Sequence, residues 1–312
     1  MEDRWTARPD EAELRRALTR LAPELPSLPM RINPSVEQPD PLFWSGSAWL
    51  VDQYVVKYAW SDVRTERLWR EGVIFDRLHA HGSPLPVPEV VVANEAPSLL
   101  VTKAVAGVPL TVELASRLTS GQLCEVADQL GSWMSRLHSF DGDELLGGLP
   151  VVVPHAQSTT ALLRDRFPHI VDERRTRTVL GWCDWVDDVL QGSSAPSEVI
   201  VHGDLHGHNQ VWDPDTLDLE VVVDLGECGL HDPHFDFRYV PGNADSLELV
   251  RAVVDAYTKE SGRTPRMERI MGWHVLTHLG DALWRTEAGV DLPGGGDATS
   301  WVDDLERRLA DL

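Results

Sequence analysis

Two polar segments, each preceded by a short β-branched run, constrain this chain more than any other part of its sequence. Residues 198–201 precede His202-Gly203-Asp204-Leu205-His206-Gly207-His208-Asn209, and residues 221–223 precede Asp224-Leu225-Gly226. β-branched residues favour strands, whereas Asp, Asn and Gly favour turns because they satisfy local hydrogen bonds or tolerate unusual backbone angles. The sequence therefore predicts two strands, each of which ends in a loop that carries acidic or amide side chains.

These loops allow two interpretations. Either segment alone could be an ordinary polar turn. Together, in this order, they supply the groups that phosphoryl transfer requires, namely a carboxylate that orients a hydroxyl and accepts its proton, and oxygen ligands for magnesium. We therefore predict that Asp204 is the catalytic base and that Asn209 and Asp224 bind Mg²⁺.

The same residues carry a family resemblance. The motifs His202-Gly203-Asp204-x-His206-x-x-Asn209, Asp224-x-Gly226 and Asp232-Pro233-x-x-Asp236 resemble the signature of the aminoglycoside phosphotransferase family, and the first motif is especially similar to the hygromycin phosphotransferase branch. The resemblance implies that His202 braces the catalytic loop and that Asp236 is a buried acceptor that orients the loop backbone.

The resemblance also implies a fold. This is the bilobal protein-kinase-like fold of the α+β class, with a small antiparallel-sheet N-terminal lobe and a larger, mostly helical C-terminal lobe. Residues 1–104 are expected to form the nucleotide-binding lobe, including a hinge strand. Residues 105–312 are expected to form the lobe for catalysis and substrate binding.

Residues 43–58 mix aromatic and β-branched residues with Gly46 and with Asp52-Gln53, which predicts a β-hairpin pair with turns near residues 46 and 52. In a kinase-like lobe the backbone at Gly46 and Ser47 would face the triphosphate, and Lys57 would contact its α- and β-phosphates. A helix predicted over residues 61–81, with Ser61 or Asp62 as N-cap, offers Glu66 and Glu71 as partners for this lysine. The spacing to Leu78 resembles the family pattern better for Glu71.

The run of residues 98–104 is predicted to be the hinge strand. In the family, main-chain groups at this position bind the adenine or guanine edge, so we expect that contact from the backbone of Thr102, Lys103 and Ala104. The side chain of Lys103 is expected to be exposed.

Beyond the hinge, apolar periodicity predicts helices over residues 121–138, 161–177, 179–190, 244–260, 267–287 and 298–309. One face of the 267–287 helix combines tryptophans with acids, which would suit a polyamine or amino sugar. Alternatively, the tryptophans pack in the core and the acids face solvent. The candidate substrate-binding residues are Asp204, Glu227, Asp281, Trp284 and Glu287.

Composition restricts the partners. The formal net charge of −22 disfavours nucleic acid and anionic membrane surfaces and suits a small cationic molecule, although acidity also simply aids solubility. The three cysteines, Cys124, Cys183 and Cys228, have no paired spacing and are predicted to be small buried residues. The N-terminal sequence lacks the pattern of a signal peptide, so a cytoplasmic protein is expected. A monomer or weak dimer is also expected.

The leading hypothesis is an enzyme that uses Mg²⁺ and transfers the γ-phosphate of ATP or GTP to a hydroxyl of an aminoglycoside-type antibiotic, which would confer resistance. One alternative keeps the chemistry and changes the acceptor: a metabolic kinase for a sugar, amino alcohol or amino acid, or a kinase for another antibiotic class. A second alternative is a non-catalytic kinase-like binding protein. The presence of Lys57, Asp204, Asn209 and Asp224 speaks against it.

Overall fold

A computed structural model describes residues 11–25, 28–32, 46–51, 53–59, 61–81, 85–96, 98–192, 196–292 and 295–312. The chain divides into two compact units. The first unit consists of Met1–Val108, Asp141–Val152 and Asn209–Cys228, and the second consists of Pro109–Phe140, Val153–His208 and Gly229–Leu312.

The described residues contain both helices and strands. The strands are β1 (Met30–Ile32), β2 (Gly46–Val51), β3 (Tyr54–Ala59), β4 (Val90–Asn94), β5 (Leu99–Lys103), β6 (Val108–Pro109), β7 (Val199–Val201), β8 (Gln210–Trp212), β9 (Leu219–Val222) and β10 (Gly229–His231). The α-helices are α1 (Glu11–Leu21), α2 (Asp62–Ala80), α3 (Val112–Ala115), α4 (Ser120–Leu137), α5 (Gly142–Leu146), α6 (Thr160–Arg166), α7 (Glu173–Gln191), α8 (Glu248–Ser261), α9 (Met267–Ala288) and α10 (Ala298–Ala310). None of the helices in the described part of the chain is both long enough and apolar enough to cross a membrane.

An antiparallel sheet with the order β1-β2-β3-β5-β4 is the centre of the first unit. Strands β2 and β3 pair from Gly46 opposite Ala59 to Val51 opposite Tyr54, which confirms the predicted hairpin. Residue 52, near which its turn was predicted, lies outside the described residues. Gly46 and Ser47 themselves belong to β2. Residues 43–45, to which the turn predicted near Gly46 extends, lie outside the described part of the chain.

Helices α1 and α2 complete this unit. Leu14 and Leu18 of α1 are fully buried in one cluster with Val56 of β3. Helix α2 begins where Ser61, the N-cap, accepts a hydrogen bond from the N–H of Arg64. A Cβ on Gly72 would lie 2.8 Å from the Cβ of Ala93, so glycine permits α2 to pack closely against β4.

The second unit is mainly helical. Helices α4 and α8 approach closely where a Cβ on Gly131 would lie 2.8 Å from that of Ala256. Buried residues of α6, α7, α9 and α10 form a separate apolar core. Strand β7, which leads into the Asp204 loop, is buried and pairs antiparallel with β10.

Two predictions from the sequence are wrong, one on the bounds of a helix and one on a cysteine. The helix predicted over residues 161–177 ends at Arg166, and a 3₁₀ turn at Phe167–His169 follows, which contains Pro168. Helix α7 begins only at Glu173, because Asp172 accepts a hydrogen bond from the N–H of Arg175 and caps it. The prediction of buried cysteines holds for Cys183 and Cys228, but Cys124 is exposed on α4.

A buried histidine makes this unit sensitive to acid. Burial, with help from His278 and Arg308, lowers the pKa of His274 from 6.5 to about 3. Between these pKa values the unfolded chain binds a proton that the folded chain excludes, so stability falls as pH falls. Lowering the pH from 7 to 5 is expected to reduce the free energy of unfolding by about 2 kcal/mol through this residue.

Denaturant titrations of wild-type protein and His274→Asn at pH 7 and pH 5 test this expectation. Asparagine retains a donor near the position of Nδ1, which is 2.8 Å from the carbonyl oxygen of Arg238, but it does not titrate. The variant should therefore lose less stability between the two pH values. Equal losses in both proteins would contradict the assignment.

Candidate active site

Asp236 holds the loop that carries Asp204. Its carboxylate is fully buried and accepts hydrogen bonds from the N–H of His202 at 2.7 Å and from the N–H of Gly203 at 3.0 Å. Burial alone would raise the pKa of Asp236, but its hydrogen bonds and the nearby ring of His138 hold it below the ordinary value. Asp236 is therefore an ionised, buried acceptor for the loop backbone, which is the role that the family resemblance implies for it.

Side-chain contacts connect Asp236 to helices α4 and α8. Nε2 of His138, at the end of α4, is 3.1 Å from Oδ2 of Asp236. Nδ1 of the same ring is 3.0 Å from the hydroxyl of Tyr257 on α8. The position of the loop thus depends on two packed helices as well as on its own turn.

The loop itself is tight. The N–H of Asp204 donates to Nδ1 of the buried His202 at 3.1 Å, which is the contact expected of a bracing residue. A Cβ on Gly207 would lie 1.9 Å from the carbonyl oxygen of Leu110, so only glycine fits at this position. The side chain of Asp204 remains 31% exposed and is accessible to a substrate.

Two residues near Asp204 were missed by the sequence analysis. The hydroxyl of Tyr239 donates to Oδ1 of Asp204 at 2.7 Å, and the guanidinium of Arg238 donates to the carbonyl oxygen of Gly203 at 2.6 Å. Both lie in the 3₁₀ helix Pro233–Asn243. The available signal was an arginine and a tyrosine within an otherwise apolar run that follows Asp236.

In the first unit, Lys57 lies between two carboxylates. Its Nζ is 2.8 Å from Oε1 of Glu71 and 3.1 Å from Oδ1 of Asp224. Burial acts to lower the pKa of Lys57, but the two carboxylates together raise it above its ordinary value, so the lysine is charged. Glu71 is buried on α2, whereas Glu66, the other candidate, is exposed.

The pairing of β8 with β9 brings Asn209 and Asp224 to one end of a hairpin. Gln210 is opposite Val222, and the carbonyl oxygen of Asn209 accepts from the N–H of Val223 at 2.9 Å. Asp224 has a left-handed backbone with φ of 68° and donates its N–H to Oε1 of Glu71. Amide and carboxylate oxygens are ligands that Mg²⁺ prefers, so both residues fit this ion.

The predicted hinge backbone is partly engaged within the protein. The N–H of Lys103 donates to the carbonyl oxygen of Glu89, and the N–H of Ala104 donates to that of Gln53. Thr102 is buried in β5. The side chain of Lys103 is exposed, as predicted, and pairs with Glu89 at 2.7 Å. The contact between the backbone of residues 102–104 and the adenine or guanine base of the nucleotide stays a prediction.

Every acid predicted to bind the acceptor lies within ion-pair distance of an arginine of its own unit; for Asp204, Oδ1 is 3.7 Å from Nη2 of Arg238. In the second unit, Oδ2 of Asp281 is 3.0 Å from Nε of Arg285, and Oε2 of Glu287 is 2.7 Å from Nη2 of Arg166. In the first unit, Glu227 pairs with Arg67.

The sequence left open whether the tryptophans of α9 face a ligand or pack in the core. The structure has one tryptophan in each kind of environment. Trp284 is 39% exposed, whereas Trp273 packs against the core and donates its Nε1–H to Asp232 at 3.0 Å.

The contact between Lys57 and Glu71 leads to a prediction. Glu71→Gln keeps the size of the side chain but removes a charge, and a hydrogen bond to a charged group contributes roughly 1.5–3 kcal/mol. We therefore expect kcat/KM for the nucleotide to fall about 10–100-fold. Initial rates at varied nucleotide concentration measure this. Glu66→Gln, an exposed change on the same helix, is the matched control, and equal values for the two variants would contradict the role of Glu71.

Comparison with known proteins gives the family. The sequence model of a phosphotransferase enzyme family, APH, matches residues 38–273, which is more than half of the chain. Streptomycin 3''-kinase of Streptomyces griseus is 28% identical over 65% of this chain and 76% of its own length. Viomycin phosphotransferase of Streptomyces vinaceus is 26% identical over 59% of this chain, which covers 63% of that protein.

Solved structures give the fold. The structure of the GDP complex of an aminoglycoside 2'-phosphotransferase-IIIa matches with a TM-score of 0.71 at 16% identity, over 97% of this chain and 99% of that chain. This likeness confirms the predicted protein-kinase-like fold, with its small antiparallel sheet and its mostly helical remainder. By the match to its sequence model, the chain belongs to the phosphotransferase enzyme family.

Proposed function

We propose that this chain transfers the γ-phosphate of ATP or GTP to a hydroxyl of an aminoglycoside-type antibiotic and thereby confers resistance. The observation that supports this best is the pair of constellations described above, Lys57 with Glu71 and Asp224 in the first unit and Asp204 with its anchored loop in the second. They provide the charge and the base that phosphoryl transfer requires. The relatives named for streptomycin and viomycin support an antibiotic as the acceptor.

In the proposed reaction, Asp204 orients the acceptor hydroxyl and accepts its proton. The hydroxyl oxygen forms a bond to the γ-phosphorus, and the bond between that phosphorus and the β–γ bridging oxygen breaks, so that ADP or GDP leaves. Lys57, oriented by Glu71, steadies the α- and β-phosphates. Asn209 and Asp224 would hold Mg²⁺, which when bound neutralises charge on the phosphates.

The remaining assignments concern the residues that bind the nucleotide and the residues that bind the acceptor. We assign residues 1–104 to the nucleotide-binding lobe, where the backbone of Gly46 and Ser47 faces the triphosphate and that of residues 102–104 contacts the base. The acceptor would be a small cationic molecule, bound by carboxylates and by ring stacking. Its proposed ligands are Glu227, Asp281, Trp284 and Glu287. The protein would act in the cytoplasm, as a monomer or weak dimer.

A direct assay tests the function. Purified protein is incubated with Mg²⁺ and labelled ATP or GTP, and phosphate transfer is measured for a panel of aminoglycosides, viomycin, choline and homoserine. We expect transfer to at least one aminoglycoside, with resistance in a host that expresses the wild-type gene but not Asp204→Ala. Transfer only to choline or homoserine would instead identify a metabolic kinase. Nucleotide binding without any transfer would identify a binding protein.

A kinase for another antibiotic class is the second candidate, because one relative is named a viomycin phosphotransferase. Thermal-shift measurements with Mg²⁺ and a non-hydrolysable nucleotide separate the candidates independently of turnover. A ligand that binds the folded protein raises its apparent stability in proportion to the logarithm of its concentration relative to Kd.

A further inference from the structure

Tyr239 contacts the carboxylate of Asp204 but has no part in the reaction as described so far. Its hydroxyl is 2.7 Å from Oδ1 of Asp204, which is hydrogen-bond distance for a strong O–H donor. Both residues belong to the second unit. Asp204 follows β7, whereas Tyr239 lies in the 3₁₀ helix Pro233–Asn243, so two separate segments meet at this oxygen.

Arg238 fixes the direction of this hydrogen bond. Its Nη2 is 3.2 Å from the hydroxyl oxygen of Tyr239 and 3.7 Å from Oδ1 of Asp204. A guanidinium only donates, and a phenol has a single hydrogen. The hydroxyl of Tyr239 therefore accepts from Arg238 and gives its hydrogen to Asp204.

Arg238 is itself held firmly. It is 2% exposed, and its Cζ lies 3.7 Å from the ring centroid of Phe235 and 4.2 Å from that of Tyr239. Its Nη1 donates to the carbonyl oxygen of Phe235 at 3.1 Å, and its Nη2 donates to that of Gly203. The ring of Tyr239 thus packs against a cation that is held by the backbone carbonyl oxygens of Gly203 and Phe235.

Asp204 also has a neighbour at its other oxygen. Oδ2 is 3.5 Å from Nε2 of His206, whose ring meets that of Tyr239 edge-on at a centroid distance of 5.5 Å. The bond from Tyr239 to Oδ1 adds to these contacts and restricts rotation about the side-chain torsions of an aspartate that is 31% exposed.

We propose that Tyr239 is a positioning residue for the catalytic base, because its hydroxyl holds Oδ1 of Asp204 and fixes the orientation in which this carboxylate receives the proton of the acceptor. This inference rests on the proposed function of Asp204. A correctly held base contributes through orientation, and the loss of orientation lowers the rate of the chemical step without loosening substrate binding.

Tyr239→Phe tests the proposal, since it removes one oxygen and keeps the ring that packs against Arg238 and His206. We expect kcat to fall about 10–100-fold, whereas KM for nucleotide and acceptor changes less than about twofold. Tyr54→Phe, the same change in β3 of the other unit, is the matched control and should retain wild-type kcat. Rates are compared at a temperature at which thermal unfolding shows that all variants are folded.

A double-mutant cycle distinguishes positioning from a general structural effect. If Tyr239 acts through Asp204, Tyr239→Phe should not lower the residual rate of Asp204→Ala any further. An equal fold-loss in both backgrounds, a wild-type kcat in Tyr239→Phe, or a parallel rise of both KM values would overturn the proposal.

The same cycle separates this proposal from the proposed function. If the wild-type protein phosphorylates none of the acceptors in the panel, the antibiotic assignment fails. Magnesium-dependent nucleotide hydrolysis, in which water takes the place of the acceptor hydroxyl, then supplies the rate for the cycle. A loss in Tyr239→Phe that disappears in the Asp204→Ala background still supports positioning. A wild-type hydrolysis rate in Tyr239→Phe, or an equal loss in both backgrounds, refutes it.

Discussion

Asp204→Ala is expected to lose nearly all phosphate transfer while nucleotide binding survives. The substitution removes the only group to which we assign the proton of the acceptor, and a positioned general base contributes roughly 10²–10⁴-fold to a rate. The residues to which we assign the nucleotide, Lys57 and Glu71, contact each other independently of Asp204. We therefore expect kcat to fall by about three orders of magnitude, with Kd for the nucleotide within about twofold of the wild-type value.

Steady-state rates and titration calorimetry with a non-hydrolysable nucleotide measure the two effects separately. Asp215→Ala, in the exposed turn between β8 and β9, is the control for loss of an aspartate. A kcat close to that of the wild type would remove Asp204 from the mechanism. Loss of nucleotide binding together with turnover would indicate a folding defect instead.

Asp236→Ala is expected to destabilise the protein more than any other single change discussed above. Three partners lose their acceptor at once, the N–H groups of His202 and Gly203 and the ring of His138. Removing one member of a buried charged network typically costs about 3–5 kcal/mol, because the remaining polar groups stay buried without a partner. Since the native pKa of Asp236 is held below 3.8, this contribution is present above about pH 4 and is lost as the pH falls below it.

Guanidinium denaturation at pH 7 measures the free energy of unfolding. Asp255→Ala, an exposed change on α8, is the matched control and should lie within about 0.5 kcal/mol of the wild type. A comparably small loss in Asp236→Ala would show that the catalytic loop does not depend on this carboxylate.

Local patterns made much of this molecule predictable. The last three helices lie within a few residues of their predicted bounds, because apolar periodicity, an N-cap at Asp297 and C-terminal glycines at 262 and 289 all act over short distances. The predicted hairpin between β2 and β3 follows from the same kind of signal. The helix predicted over residues 161–177 failed because the capping of α7 by Asp172 outweighed a continuous helical pattern.

The candidate site residues that the sequence supplied lie in recognisable motifs or, like Lys57 and Glu71, at positions that the family pattern implies. Asp204, Asn209 and Asp224 were chosen for their order along the chain, and Asp236 because the motif Asp232-Pro233-x-x-Asp236 resembles the signature of the family. The contact of Tyr239 with Asp204 joins residues 35 positions apart, and nothing in either local sequence records that distance. The pairing of the predicted acceptor-binding acids with Arg67, Arg166 and Arg285 is also a product of tertiary packing.

If these acids bind the acceptor as proposed, their ion pairs impose competition on any cationic acceptor. A molecule with a single ammonium group that displaces Arg285 from Asp281 merely exchanges one cation for another, and the tethered guanidinium has the advantage of high local concentration. A molecule with several ammonium groups can engage more than one carboxylate at a time and so overcomes that handicap. The surface of α9 would therefore select its ligands by the number of their positive charges, and this selectivity should weaken steeply as ionic strength increases.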